Sequence, residues 1–422
     1  MTERPLRSGI SRRGFVTGAL SASAGAAVGV GAGMALSGDS PHEEIRPTAA
    51  PATFVPFEGV HQTGVTALPV PTRGLAASFV MVSRDRARLE AVLAELTDEI
   101  RGLMSGKPSE TRDPAFPPVD SGILGDTPPP DNLSIVLSVG ASLFDDRFGL
   151  TDRKPKELVT MPFLANDRLD PKQSHGDLLI TIEAGHTDTI QFALRQLMRC
   201  TRGDLVLKWM VDGYGRGAGQ ASSATTPRNL LGFKDGTANL DSADGGLMDK
   251  HVWVGASDGE PDWAIGGSYQ VVRIIRMFVE FWDRTQLAEQ ESIIGRNKVN
   301  GAPMGLKGEF DDPDYADDPD GKRIKLDAHI RLANPRTPET DENLILRRGF
   351  SYARGFDGAG RLDQGLAFVC YQRSLKKGFL TVQERLKGEP LEEYILPVGG
   401  GFFFTLPGVS GADRFLGDQL IG

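Results

Sequence analysis

Apolar and polar positions along this chain fall into blocks whose period switches between two and about three and a half. Ala77-Ser78-Phe79-Val80-Met81-Val82 is a short apolar run and predicts a strand. Leu89, Val92, Leu93, Leu96, Ile100 and Leu103 then recur at helical spacing, with charged residues on the other face. A Pro-rich stretch ending at Pro128-Pro129-Pro130 separates that helix from strand runs at 133–139 and 178–183. Residues 187–200 predict a second helix and 205–211 a closing strand. The order β-α-β-β-α-β is the ferredoxin-like arrangement.

The second half repeats this rhythm loosely. Residues 269–282 alternate as one long strand, and 286–295 predict a helix. Strands follow at 344–352 and 366–371, a helix at 375–386, and a last strand at 401–406. The fold class is therefore α+β, with two units that each carry an antiparallel sheet and helices on one face. The connection from Gly295 to about Asp341 is too long for a plain loop, and stretches of that length in compact domains tend to carry function.

The N-terminus changes the domain count. Ser11-Arg12-Arg13-Gly14-Phe15-Val16 is a twin-arginine pattern, and Gly14 to Ser37 is rich in Ala, Gly, Val and Leu. Gly and Ser dilute that run below what a membrane span needs, and Ala35-Leu36-Ser37 resembles a small-residue cleavage site. Residues 1–37 read as a twin-arginine export signal, with an N-terminal anchor helix as the alternative. Residues 38–56 follow as an unpatterned lead-in, 57–222 as the N-terminal unit and 223–422 as the C-terminal unit. This places the mature protein in the periplasm, at the cell surface or outside the cell, with no membrane span of its own.

Charge excludes one class of function. The 422 residues carry a net charge of −9, and removing the four Arg and one Glu of residues 1–37 leaves −12. A nucleic-acid binder needs a basic surface, so nucleic acid is not the partner. Two cysteines, Cys200 and Cys370, make no disulfide framework. Six His leave few candidates for any imidazole-dependent site.

Four segments could carry chemistry. Gly232-Phe233-Lys234-Asp235-Gly236-Thr237-Ala238-Asn239 is either a turn or a place where a flat ligand approaches the backbone. Asp327-Ala328-His329-Ile330-Arg331-Leu332-Ala333-Asn334-Pro335-Arg336 holds a single His with no HExxH, second His or Cys cluster, which disfavours zinc. One imidazole suits iron already held by four porphyrin nitrogens. In Leu346-Arg347-Arg348-Gly349, at least one guanidinium must point inward and find an anionic partner. The acidic run from Glu309 to Asp320 lacks the ligand ladder of a calcium loop and reads as a solvated acidic loop.

Taken together, the Gly-x-x-Asp-Gly element at 232–236, His329 with its Asn-Pro-Arg tail, and Arg347 eighteen residues beyond it resemble the dye-decolourising (DyP-type) haem peroxidases, in their secreted deferrochelatase/peroxidase branch. The resemblance runs from Phe57 to Gly408. It implies a pair of ferredoxin-like units forming a dimeric α+β barrel, with one haem b per chain in the C-terminal unit. His329 is then the proximal iron ligand through Nε2, with Nδ1–H donating to a carboxylate, Glu393 first and Glu392 or Asp327 as alternatives. Asp235 shuttles the proton of hydrogen peroxide, and Arg347 stabilises charge as the O–O bond breaks. A carboxylate in that role favours activity at acidic pH. Gly236, Thr237 and Ala238 lie over the haem, Asn334, Pro335 and Arg336 beside it, and Arg336 pairs with a propionate. Arg348 does not match the catalytic position.

The reaction so implied reduces hydrogen peroxide and oxidises dyes, phenolics, Fe(II) or porphyrinogens, in a homodimer linked to iron uptake. Bulky donors would deliver electrons through Trp209, Trp253, Trp263, Trp282 or Tyr352. Two other activities compete: a deferrochelatase that removes iron from haem and leaves the porphyrin intact, and a non-catalytic haem or iron carrier.

Overall fold

The computed structural model describes residues 53–110, 112–215 and 226–422; the export signal read at 1–37 and most of the lead-in at 38–56 lie outside the described residues. In the first half, β1 (Arg73–Met81) leads to α1 (Arg86–Met104), which Asp85 caps by accepting from the Ala87 amide. β2 (Ser134–Gly140), β3 (Leu178–Ala184), α2 (Thr187–Cys200) and β4 (Leu205–Tyr214) complete the unit. Its strands lie in the order β2-β3-β1-β4, every pair antiparallel.

The second half contributes α3 (Gly245–His251), β5 (Ser268–Met277), α4 (Val279–Trp282), α5 (Leu287–Ile294) and α6 (His329–Ala333). It continues with β6 (Leu346–Arg347), β7 (Phe350–Phe356), β8 (Leu362–Gln372), α7 (Thr381–Leu386), β9 (Ile395–Thr405) and α8 (Asp418–Ile421). The order β9-β5-β8-β7 repeats that of the first half, with β6 also on β8. β2 pairs with β9, and β4 meets β7 at Tyr214–Ser351. The two sheets thus close into one antiparallel barrel, and the two-unit α+β expectation holds.

Closure explains the hydrophobic pattern. Strands in the barrel wall bury one face in the interior and the other beneath helices, so β2 and β3 are buried at every residue. Ala76, Val136, Leu179, Val272 and Ile274 fill the interior, whereas Leu75, Phe79, Ile135 and Ile180 pack outward with Leu89, Leu93 and Leu96 of α1. Continuous apolar runs, rather than strict alternation, are what a doubly covered strand requires.

Three expected elements change. The strand read at 269–282 stops at Met277, because Phe278 leaves the extended region and its amide bonds to the Tyr394 carbonyl. Val279 and Trp282, three apart, then bury one face of a helical turn, whereas a strand would put them on opposite faces. The strand read at 344–352 is broken between β6 and β7. There Gly349 passes so close to β8 that a Cβ would lie 2.7 Å from the Ala367 carbonyl oxygen. The helix read at 375–386 opens with a wide turn, Lys376–Leu380, around non-helical Gly378.

Arg348, between β6 and β7, pairs with Glu183 of β3 at 2.7 Å, and both side chains are buried. This buried ion pair, like that of Arg273 with Asp167, ties the second half to the first. Removing a single partner leaves an uncompensated buried charge, so Arg348→Met should cost about 3–5 kcal/mol. Denaturant unfolding, read as the midpoint shift at unchanged slope, checks this.

Candidate active site

The cavity lies on the face of the second sheet that points away from the barrel interior. On β5, Arg273, Ile275 and Met277 line it, whereas Val272 and Ile274 between them fill the barrel. Leu366 and Phe368 of β8 extend the wall, and Val382 and Leu386 of α7, Ile294 of α5 and Leu391 help cover it. The space is about 290 Å³ and largely apolar, with its polar groups in separate clusters.

His329 opens α6, and that short helix needs outside support. Arg331 supplies it, donating to the Asp318 and Ile324 carbonyls at 2.8 Å each and to the Asp318 carboxylate at 3.3 Å. Asp318 also accepts from the Arg323 and Ile324 amides. Thus fixed, His329 places Nδ1 2.7 Å from Glu389 Oε2. Burial alone would lower the imidazole pKa, but the Glu389 carboxylate outweighs it and holds the ring above its ordinary value. Nδ1 is therefore the protonated, donating nitrogen. About a third of the side chain is open, into the cavity that His329 lines, where Nε2 remains available.

The carboxylate at His329 is Glu389, which corrects the expectation of Glu393. Glu389 follows Gly388, at φ 80°, and precedes Pro390, so it sits at the N-cap position of the single turn Pro390–Glu393 with its carboxylate turned to His329 instead of the turn. Glu392 lines the cavity, but neither it, Glu393 nor Asp327 bonds to His329. No spacing rule links residues 60 positions apart, so Glu389 had no local signal beyond its place before Pro390.

On another part of the wall, Arg347 Nη1 donates to Asp235 Oδ1 at 2.6 Å. Asn239 locks the pair from behind. Its side chain donates to the Arg347 carbonyl at 2.8 Å and accepts from the Arg347 amide at 2.9 Å. The Asp235 amide bonds to the Pro227 carbonyl, and Gly236 takes φ 131°, which a side chain would strain. Gly236, Thr237, Ala238, Asn334 and Arg336 also line the cavity, as expected; Pro335 does not. Arg348 faces Glu183 instead.

Two residues not foreseen in the sequence support the site, one in the cavity wall and one behind it. Arg296 is 6% exposed, lines the cavity and donates to the Gly301 and Glu309 carbonyls, and among the described residues no carboxylate pairs with it. Burial lowers its pKa. Arg336 has only exposed Asp312, at 3.4 Å. The other is Glu309, whose carboxylate bonds to Thr237 at 2.9 Å and to Lys234 and Thr226.

These features fit haem. A flat apolar ligand matches Ile275, Leu366 and Phe368, a metal needs the free His329 nitrogen, and ligand carboxylates would neutralise Arg296 and Arg336. All five candidate relay residues are buried, at 6% exposure or less. Trp253 stacks on His61 at 4.0 Å, and the Trp209 and Trp263 indoles bond to backbone carbonyls. Among the described residues the Tyr352 hydroxyl has no hydrogen-bond partner. Trp282 touches the cavity wall, donating to the Leu231 carbonyl and packing edge-on to Phe233. Cys200 and Cys370 are both free thiols.

Comparison with known proteins agrees with this geometry. The family model "Dyp-type peroxidase, N-terminal" matches residues 62–215, and its C-terminal counterpart matches 226–410. A protein named deferrochelatase from Escherichia coli O157:H7 is 50% identical over 404 residues, covering 93% of this chain and 95% of its own. Another so named, from Shigella boydii serotype 4, is 50% identical over 92% of this chain and 94% of its own. The crystal structure of a DyP-type peroxidase from Cellulomonas bogoriensis aligns with TM-score 0.78 at 32% identity, covering 88% of this chain and 98% of that one. DtpA from Streptomyces lividans, solved as an oxyferrous complex, aligns with TM-score 0.78 at 31% identity and the same coverage.

Proposed function

The chain belongs to the Dyp-type peroxidase family, and from that premise we propose how its residues divide the work of a haem-dependent peroxidase that reduces hydrogen peroxide and oxidises a donor. The observation that carries the assignment is one cavity walled by both a carboxylate-backed imidazole and an Asp–Arg pair. His329 holds the haem iron through Nε2, and Glu389 keeps the proton on Nδ1. Arg296 and Arg336 would hold the propionates, and Gly236, Thr237 and Ala238 would line the site of the ring. The group is haem b, one per chain. Haem, when bound, supplies the electrons that cleave the O–O bond.

Asp235 takes the proton from one oxygen of hydrogen peroxide and returns it to the other. Arg347, always charged, donates to the oxygen on which negative charge develops. The apolar wall excludes bulk water and strengthens both interactions. Mixing the haem-loaded protein with hydrogen peroxide in a stopped-flow spectrometer tests this reading. A fast change in the Soret band is expected, and an unchanged band would overturn the peroxidase and leave the deferrochelatase or the carrier.

Bulky donors dock against Phe281, which is 45% exposed and stacked at 4.8 Å on Tyr394, and Tyr394 takes the electron transfer inward. Tyr394 packs on Trp282 at 4.8 Å, and Trp282 on the cavity wall. Tyr394→Phe should therefore slow oxidation of a bulky dye while a small phenol reacts at near wild-type rate, measured by steady-state kinetics with each donor.

The 50% identity to deferrochelatases favours a second activity at the same cavity, removal of iron from haem. Anaerobic incubation with haem should then release protoporphyrin and Fe(II). Among the described residues no helix is long and apolar enough to cross a membrane. We place the protein beyond the cytoplasmic membrane, exported through the signal at 1–37, as a homodimer serving iron uptake. The N-terminal unit spans 57–222 and the haem-binding unit 223–422.

A further inference from the structure

Glu309 heads the acidic run that reads as a solvated loop, yet its side chain is only 10% exposed. Its Oε1 accepts from Thr226 and Thr237, and its Oε2 from Lys234. Lys234 and Thr237 bracket Asp235 and Gly236, so one carboxylate grips the chain on both sides of the proton-transfer group. The grip is built rather than casual. A Cβ on Gly301 would meet the Lys234 stem at 2.6 Å, so the lysine threads a gap that only glycine leaves open. The Glu309 backbone is itself anchored, because its carbonyl accepts from Arg296 of the cavity wall at 2.9 Å.

We propose that Glu309 is a positioning residue for peroxide cleavage, holding Asp235 against Arg347 by tying Lys234, Thr237 and Thr226 to one carboxylate. The need for such a tie follows from the local chain. Asp235 lies between Gly232 and Gly236, both at positive φ, on a segment outside any helix or strand that is held by a bridge between Lys234 and Arg228 and neighbouring amide bonds to Pro227 and Asn229. Arg347 fixes one end of the Asp235 side chain, but the backbone beneath it requires separate support. Burial alone would raise the Glu309 pKa, but the Lys234 ammonium and the two threonine hydroxyls outweigh it and hold the carboxyl below its ordinary range. The carboxyl is therefore favoured in its ionised form, the form that pairs with Lys234. The proposal rests on the reading of Asp235 as the proton-transfer group.

The test compares haem-loaded wild type, Glu309→Gln, Glu309→Ala and Asp235→Ala. It measures the second-order rate constant for hydrogen peroxide, the donor KM, and amide hydrogen exchange of the peptide spanning 232–239. Glu309→Gln can still accept from the threonines but loses the charge opposite Lys234, so a loss of about 10-fold is expected. Glu309→Ala removes all three ties, and displacement by an ångström at such a site costs on the order of 100-fold. Exchange across 232–239 should rise in the same order, with donor KM and the resting Soret band unchanged. Peroxide rates within twofold of wild type in both variants, or slower rates with no change in exchange, would overturn the proposal. If Asp235→Ala itself reacts normally, the reading of Asp235 fails and this inference with it. If Asp235→Ala is slow while both Glu309 variants are normal, only the inference fails.

Discussion

Replacing His329 with Ala is expected to remove the Soret band of the purified protein, because haem would lose its iron ligand from this chain. The cavity would keep its apolar wall and its two cations, so weak porphyrin binding should survive while the metal-dependent part of the affinity is lost. Two observations make the effect large. His329 lines the cavity with one ring nitrogen available, and its other nitrogen is held by Glu389 at 2.7 Å. Removing the outer partner of such a ligand costs about 10–100-fold in metal affinity, so Glu389→Gln should weaken haem retention by that factor. The glutamine oxygen can still accept from Nδ1, but the charge that raises imidazole basicity is gone. A titration with haem followed at the Soret band, and transfer of haem to apomyoglobin, measure both variants. Glu393→Gln serves as the control, since Glu393 makes no bond to His329, and a Soret titration like wild type is expected. Haem retention that falls in Glu393→Gln and not in Glu389→Gln would reverse the assignment.

The contrast between these two glutamates shows what the sequence could and could not convey. Strand and helix positions in the first half followed from local periodicity, and α2 (Thr187–Cys200) matches its expected span. Asp235, His329 and Arg347 stood out because each sits in a dense local motif, and the structure gathers all three at one cavity. Glu389, Arg296 and Glu309 act on partners 60, 13 and 72 positions away, through contacts that only the closed fold creates. Glu309 was hidden further by its neighbours. Asp311, Asp312, Asp314, Asp317 and Asp320 are exposed, as a solvated loop requires, whereas Glu309 and Asp318 turn inward. Composition reports the average of such a run and not its exceptions. A different limit applies to 269–282, where the strand pattern holds to Met277 and the change to a helical turn is made by the Phe278 amide bonding to Tyr394, a contact 116 positions away.

Asp235→Ala and Arg347→Leu should each leave haem bound and slow the reaction with hydrogen peroxide by orders of magnitude. A positioned acid–base group contributes roughly 10²–10⁴-fold, and loss of a donor aimed at developing negative charge costs roughly 10²–10³-fold. The two losses should not multiply. Asp235 and Arg347 are bonded at 2.6 Å, so removing either also releases the other from its working position. The double variant is expected to be only slightly slower than the slower single one. Arg347→Lys should recover little, because an ammonium lacks the planar fork that reaches Asp235 while its backbone stays clasped to Asn239. Stopped-flow rate constants over a range of peroxide concentrations, with the resting spectrum as proof of intact haem binding, decide the matter. Strictly multiplicative losses would show that the two residues act separately, with their short contact having no part in the proton transfer.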